Sequence, residues 1–174
     1  AQLFGLKANL YQQTPQSKHN FQFVLDSLAS KDTTKHTPLD LHIGSLIIRH
    51  GAVKYDKRYI VSKSGVFSPA HISISDLSTH IIANHITDDA INLHIKKLAF
   101  RDKSGLQLNS LSFKLDANKR EASLKEFELQ LPHSDITLGD IHATYKFDNG
   151  KLVMPTLQYS GSIEQSKITL SDIA

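Results

Sequence analysis

The sequence contains no cysteine. Disulfides, thiolate nucleophiles and cysteine-ligated zinc are therefore excluded. The compartment stays open, because a cysteine-free chain suits a reducing cytosol and an oxidising envelope alike. No apolar run approaches the roughly 20 residues that a membrane-spanning helix needs, and no signal peptide is legible. There is no Gly-x-Ser-x-Gly elbow, no phosphate-binding loop and no dinucleotide fingerprint. Concentrated positive charge is also missing. The formal net charge is +3 with a pI near 9.0, and the densest basic group is Lys96, Lys97, Arg101 and Lys103. Without a stacking aromatic set beside it, that group argues against nucleic acid as a partner.

Ten histidines are present, but their spacing does not suggest a metal. His42, His94 and His142 each stand between two apolar positions and are expected on a solvated face. His80, His85, Asp88 and Asp89 come nearest to a ligand cluster, yet lack the i, i+4 spacing of a helical zinc site. Asp88, Asp89, Asp102, Asp116 and Asp148 fall where turns are expected, and Asp is a turn former. The reading is therefore of a protein with no catalytic residues, no metal and no cofactor.

What the chain does have is apolar residues at 40% and charged residues at 21% over 174 positions, enough for one folded core. It also has an internal repeat. The spacing apolar, any, apolar, any, any, apolar, any, apolar occurs as Leu41, Ile43, Leu46, Ile48 and again as Leu93, Ile95, Leu98, Phe100. It returns as Leu106, Leu108, Leu111, Phe113, then Ala122, Leu124, Phe127, Leu129, then Ile136, Leu138, Ile141, Ala143, and finally Leu152, Met154, Leu157, Tyr159. A looser copy is Ile72, Ile74, Leu77 with polar Thr79 in last place. From Leu93 the copies start every 13 to 16 residues, which suits one strand and one short turn of a meander.

A regular strand alternates faces with period two. The two apolar pairs of each copy would then lie on opposite faces, unless one inserted residue at the centre restores them to the same side. The central pairs are Gly44-Ser45, Ser75-Asp76, Lys96-Lys97, Asn109-Ser110, Lys125-Glu126, Gly139-Asp140 and Pro155-Thr156. Bulges at the same place in every strand would curl the sheet along one line into a taco-like trough with an apolar concave face. The same spacing also fits strands that change sheet at the corner of a two-layer sandwich. A helical reading is weaker, since Val, Ile, Thr, Phe and Tyr favour strand.

Residues 19–30 differ. Phe21, Val24, Leu25 and Leu28 make one helical face after the N-cap Asn20, so a short amphipathic helix is expected, capping the open end of the sheet. Ser30 to Pro38 and Tyr55 to Pro69 read as irregular, Asp148-Asn149-Gly150 as a hairpin turn, and Ser160-Gly161-Ser162 as a turn. The chain opens at Ala1 without Met, and its last copy, Ile168, Leu170, Ile173, is cut short. Residues 1–174 are thus expected to be one piece of a longer repetitive protein, with repeated strands from about residue 39 onward.

Three stretches carry a family resemblance: Leu46-Ile47-Ile48-Arg49-His50-Gly51-Ala52-Val53-Lys54-Tyr55-Asp56, Ser73-Ile74-Ser75-Asp76-Leu77-Ser78, and Ile95-Lys96-Lys97-Leu98-Ala99-Phe100-Arg101-Asp102-Lys103-Ser104-Gly105-Leu106. With the repeats downstream, the chain resembles the AsmA/TamB-like envelope proteins of Gram-negative bacteria over about Phe21 to Ala174. It is most similar to the long TamB-like translocation and assembly module proteins of the Bacteroides group. The resemblance implies an inner-membrane-anchored protein reaching into the periplasm. It implies a hydrophobic groove that binds or conducts phospholipid acyl chains toward the outer membrane. The rest of the parent chain and outer-membrane assembly machinery are implied partners. A strand-pairing scaffold or chaperone for outer-membrane assembly is the alternative. No catalytic residue comes with the family. The groove-lining candidates are Leu41, Ile43, Leu46, Ile48, Leu93, Ile95, Leu98, Phe100, Leu106, Leu108, Leu111, Phe113, Leu124, Phe127, Leu129, Ile136, Leu138 and Ile141.

Overall fold

The computed structural model describes residues 1–22, 40–63, 65–148 and 150–172. Most of them are extended. In chain order the strands are β1 (Gln2–Phe4), β2 (Lys7–Gln12), β3 (Asp40–Lys57), β4 (His71–Thr87), β5 (Ala90–Asp102), β6 (Gln107–Asn118) and β7 (Glu121–Gln130). Shorter pieces follow: β8 (Asp135–Leu138), β9 (Ile141–Thr144), β10 (Phe147–Asp148), β11 (Lys151–Leu152) and β12 (Gln158–Ser160). Strands β3 to β7 form the expected antiparallel meander, each hydrogen-bonded to the next, and β7 then pairs with both β8 and β9. The result is a large open sheet, curved, with one apolar face and not closed into a barrel.

The sheet departs from a pure meander at its first edge. Strands β1 and β2 both pair with β3 in parallel, Gln2–Phe4 against Ile47–Arg49 and Lys7–Gln12 against Ala52–Lys57. Gly5, with φ of 67°, turns the chain between them. These residues lie outside the repeat, so the sequence pattern does not announce them. Tyr55 to Lys57, expected to be irregular, belong to β3 and pair with β4 at Ile72 and His71. The helix expected over 19–30 lies for the most part outside the described residues. Within them, Gln22 donates its N–H to the His19 carbonyl oxygen.

The central pairs do lengthen their strands by one residue. The register shifts fall between Ile43 and Leu46 in β3, between Ser75 and Ser78 in β4 and between Ile95 and Leu98 in β5. They fall between Leu108 and Leu111 in β6 and, against Ser112 and Lys114, between Lys125 and Glu128 in β7. Asp76 and Glu126 take positive φ of 52° and 53°, the left-handed position that one bulge type uses. Two further bulges carry no such signal in the sequence, at Arg49-His50 in β3, where His50 has φ of 52°, and at Asn84-His85 in β4.

The bulges do not lie on one line, contrary to expectation. Neighbouring strands run in opposite directions and their turns differ in length, so the centre of one copy faces the flank of the next. The bend is spread across the sheet. The copy Leu152, Met154, Leu157, Tyr159 is also not a bulged strand. Pro155 sits in a 3₁₀ turn, Met154–Thr156, between β11 and β12, since it has no N–H for a ladder. Gly150, with φ of 75°, closes the β10–β11 hairpin as expected, but that hairpin forms a separate two-stranded sheet.

Candidate functional site

The pairing register builds the apolar face residue by residue. One row crosses the sheet as Leu41, Ile86, Ile91, Ala117, Ala122 and Ala143. The next is Ile43, Ala83, Leu93, Leu115, Leu124 and Ile141. A third runs Leu46, Ile81, Ile95, Phe113, Phe127 and Leu138, with the two phenyl rings stacked at 6.5 Å between centroids. The fourth is Ile48, Thr79, Leu98, Leu111, Leu129 and Ile136. Beyond it Leu77 faces Gly51, and Phe100 faces Leu108.

Of the groove-lining candidates, all but Leu106 stand in these rows and are buried or half-buried. Leu106 lies in the β5–β6 turn, where its carbonyl oxygen accepts the Asp102 N–H, and it is half-buried there. The rows also contain residues the eight-position pattern does not name: Ile81, Ala83, Ile86, Ile91, Leu115 and Ala117. Plain alternation beyond each copy is the signal for Ile91, Leu115 and Ala117. In β4 the bulges sit elsewhere, and the run Ile81-Ile82-Ala83 hides its own register. Leu152 and Met154, and Ile168 and Leu170 of the last copy, are exposed rather than gathered into the face, while Tyr159 stands opposite Ala143 at the end of the first row but is exposed there. Ile173 lies outside the described residues.

This face is open. Among the described residues only Ile48, Ala83, Ile95 and Leu108 are buried hydrophobics, where a core of this size would hold many more. Apart from the two-stranded β10–β11 hairpin, the described strands form one sheet, and with so few buried hydrophobics it lacks the closed core that the sandwich alternative expects. Thr79 is the polar member of the fourth row. It is 5% exposed and donates its hydroxyl to the Lys97 carbonyl oxygen at 3.0 Å, leaving its methyl for the row.

The opposite face is polar and cross-linked. Lys114 pairs with Glu126 at 2.5 Å and Arg101 with Asp76 at 3.8 Å. Asn92 accepts from Asn84 at 2.6 Å and donates to the Asp116 carboxylate. His42 and His142 are exposed there, and His94 is half-buried. Burial, with Lys114 and Lys96 nearby, lowers the His94 imidazole below its ordinary value. Hydrogen bonding to Lys114 holds Glu126 below the usual carboxylate range.

The nearest thing to a ligand cluster does not assemble. His80 bonds the Ser45 hydroxyl at 3.2 Å, and Asp89 pairs with Lys119. No group of three or more metal-ligating side chains forms among the described residues. Asp102 is buried at 7% exposure. Burial alone would raise its carboxyl, but hydrogen bonds from Ser104, Ser73 and Lys103 outweigh it and hold the group below its ordinary value. Its oxygens accept the N–H of Ser73 at 2.8 Å and of Ser104 at 2.9 Å. It fastens the β5–β6 turn to the start of β4.

At the far edge, Ser160-Gly161-Ser162 is not the expected turn but a close passage. Gly139 donates its N–H to the Ser162 carbonyl oxygen at 2.9 Å. A Cβ on Gly161 would stand 2.8 Å from the Ile141 Cγ1. Strand β12 pairs with β9, and residues 161–172 then run along β8 as an irregular margin, joined through isolated bridges at Leu138–Ile163 and Asp135–Lys167. No helix among the described residues is long and apolar enough to cross a membrane. No protein-family model, no curated protein and no solved structure matches the chain.

Proposed function

We propose that the chain is a non-catalytic, lipid-binding groove segment of the AsmA/TamB-like kind. It works in the periplasm as part of an inner-membrane-anchored protein and holds or conducts phospholipid acyl chains between the two membranes. The observation that carries the reading is the set of four rows of aliphatic and aromatic side chains, with Thr79 their one polar member and no layer of described residues over them. Such a surface offers no converging polar group to orient a small polar ligand, but it suits chains of CH₂. Each buried CH₂ contributes about 0.8 kcal/mol, so an acyl chain of roughly 16 carbons gains on the order of 10 kcal/mol before ordering costs. The polar side chains are tied to one another on the opposite face, which speaks for the same division of labour. The family resemblance supports the compartment and the lipid class.

The test is lipid extraction and mass spectrometry of the purified chain. Co-purifying phospholipid at near-stoichiometric yield is expected, and repeated preparations free of lipid would refute the reading. Leu98→Asp and Phe113→Asp, both in the rows, should retain the strand signal in circular dichroism and lose the lipid. A strand-pairing scaffold is the second reading. It is favoured by the sheet's not closing into a barrel, which leaves strand edges to which another chain can add. In that case both variants keep their partner, and charges on the edge remove it.

A further inference from the structure

Residues 58–63 and 65–70, between β3 and β4, carry a group of exposed apolar side chains close in sequence. Val61 is 88% exposed, Val66 59% and Phe67 47%, with Tyr59 and Ile60 also open to solvent. An exposed cluster of this kind marks a contact surface. It is not an extension of the rows, because β3 has ended at Lys57.

Charge identifies what the cluster meets. From Lys57 to Ala70 the sequence has no Asp or Glu, but it has Lys57, Arg58 and Lys63. Val66 lines a hollow of about 490 Å³ together with Lys54, Lys63 and Lys103. Its two carboxylates are engaged. Asp56 bonds His71 Nδ1 at 2.7 Å, and Asp102 holds the N–H groups of Ser73 and Ser104. The base of the loop is fixed, since Arg58 donates to Gln13 Oε1 at 2.9 Å and lies 3.9 Å over the Tyr11 ring. A firmly based apolar tip with lysines beside it matches the chemistry of a bilayer surface. The acyl region accepts the tip, and headgroup phosphates meet the ammonium groups.

We propose that this end of the sheet docks on a bilayer bearing anionic phospholipid, with Val61, Val66 and Phe67 inserted and Lys54, Lys63 and Lys103 at headgroup phosphates. The contact is distinct from the groove, and either can fail without the other.

The chain has no tryptophan, so Val61→Trp in the full chain introduces a single indole. It is mixed with vesicles of phosphatidylcholine, with or without phosphatidylglycerol. Emission should move to the blue, and brominated acyl chains should quench it, only when phosphatidylglycerol is present. Lys63→Glu and Lys103→Glu, each made in that background, should weaken vesicle binding at least about fivefold. Val66→Asp with Phe67→Asp should abolish it without changing the strand signal. Leu98→Asp should leave vesicle binding intact, which separates this surface from the groove. Emission indifferent to vesicles, equal binding to neutral vesicles, or a blue shift that grows with protein concentration in their absence would each overturn the proposal. The last would identify a second copy as the cover.

Discussion

The Thr79 hydroxyl on β4 reaches the carbonyl oxygen of Lys97, one of the two residues at the β5 bulge. A polar residue in an apolar row thereby finds a backbone acceptor for its hydroxyl at the bulge. Thr79→Val keeps the shape and removes the bond. It should destabilise the chain by about 1 kcal/mol without loss of bound lipid, as read from urea unfolding and lipid extraction on the same sample.

Asp76 adopts a left-handed backbone at its bulge, a conformation that costs a β-branched residue most. Asp76→Gly should be neutral or stabilising by up to about 1 kcal/mol, and Asp76→Val destabilising by more than that. Equal effects of the two in urea midpoints would mean that the bulge residue is not held left-handed.

The His94 imidazole is lowered by burial and by Lys114 and Lys96. Its proton binds more readily to the unfolded chain, near pH 6.5, than to the folded one. Between those two values the unfolded state carries more protons, so stability falls as pH falls. Below the folded value the loss is complete. His94→Asn should flatten this part of the profile, and comparing the two proteins by unfolding between pH 7.5 and pH 5 isolates the contribution. An unchanged slope would show that the folded and unfolded values do not differ.

Gly161 passes Ile141 too closely for a side chain. Gly161→Ala should push residues 158–172 away from β8 and β9. The expected readout is faster hydrogen exchange at the amides of Gly139 and Glu164, both bonded across this seam. The amides of β4 and β5 should be unaffected.

Much of this architecture was legible in the eight-position spacing, because burying one face of a strand forces period two and an added residue resets it. Leu93, Ile95, Leu98 and Phe100 show this most plainly, with Lys96-Lys97 lengthening β5 where the spacing requires. The placement of bulges across the sheet was not legible. It depends on which residues face each other, and turn lengths decide that only after pairing. The parallel strands β1 and β2 were also hidden, since Gln2–Phe4 and Lys7–Gln12 are too short for a pattern and gain their place from the exposed edge of β3. Leu152 and Met154 satisfied the spacing and still left the face, because Pro155 beside them cannot donate to a ladder, whereas Tyr159 pairs with Ala143 at the end of the first row. The loop cluster at Val61 and Phe67 carries no periodicity at all, and only its position at the end of β3 gives it meaning.

Strands β3 to β7 shorten in turn, with 18, 17, 13, 12 and 10 residues. Among the described residues, each is gripped only by the strands on either side of it. Cohesion in such a ribbon is a sum of adjacent-pair terms rather than the property of a shared interior. Melting should therefore begin at the thin C-terminal margin and peel inward, with the β3–β4 hairpin the last to open.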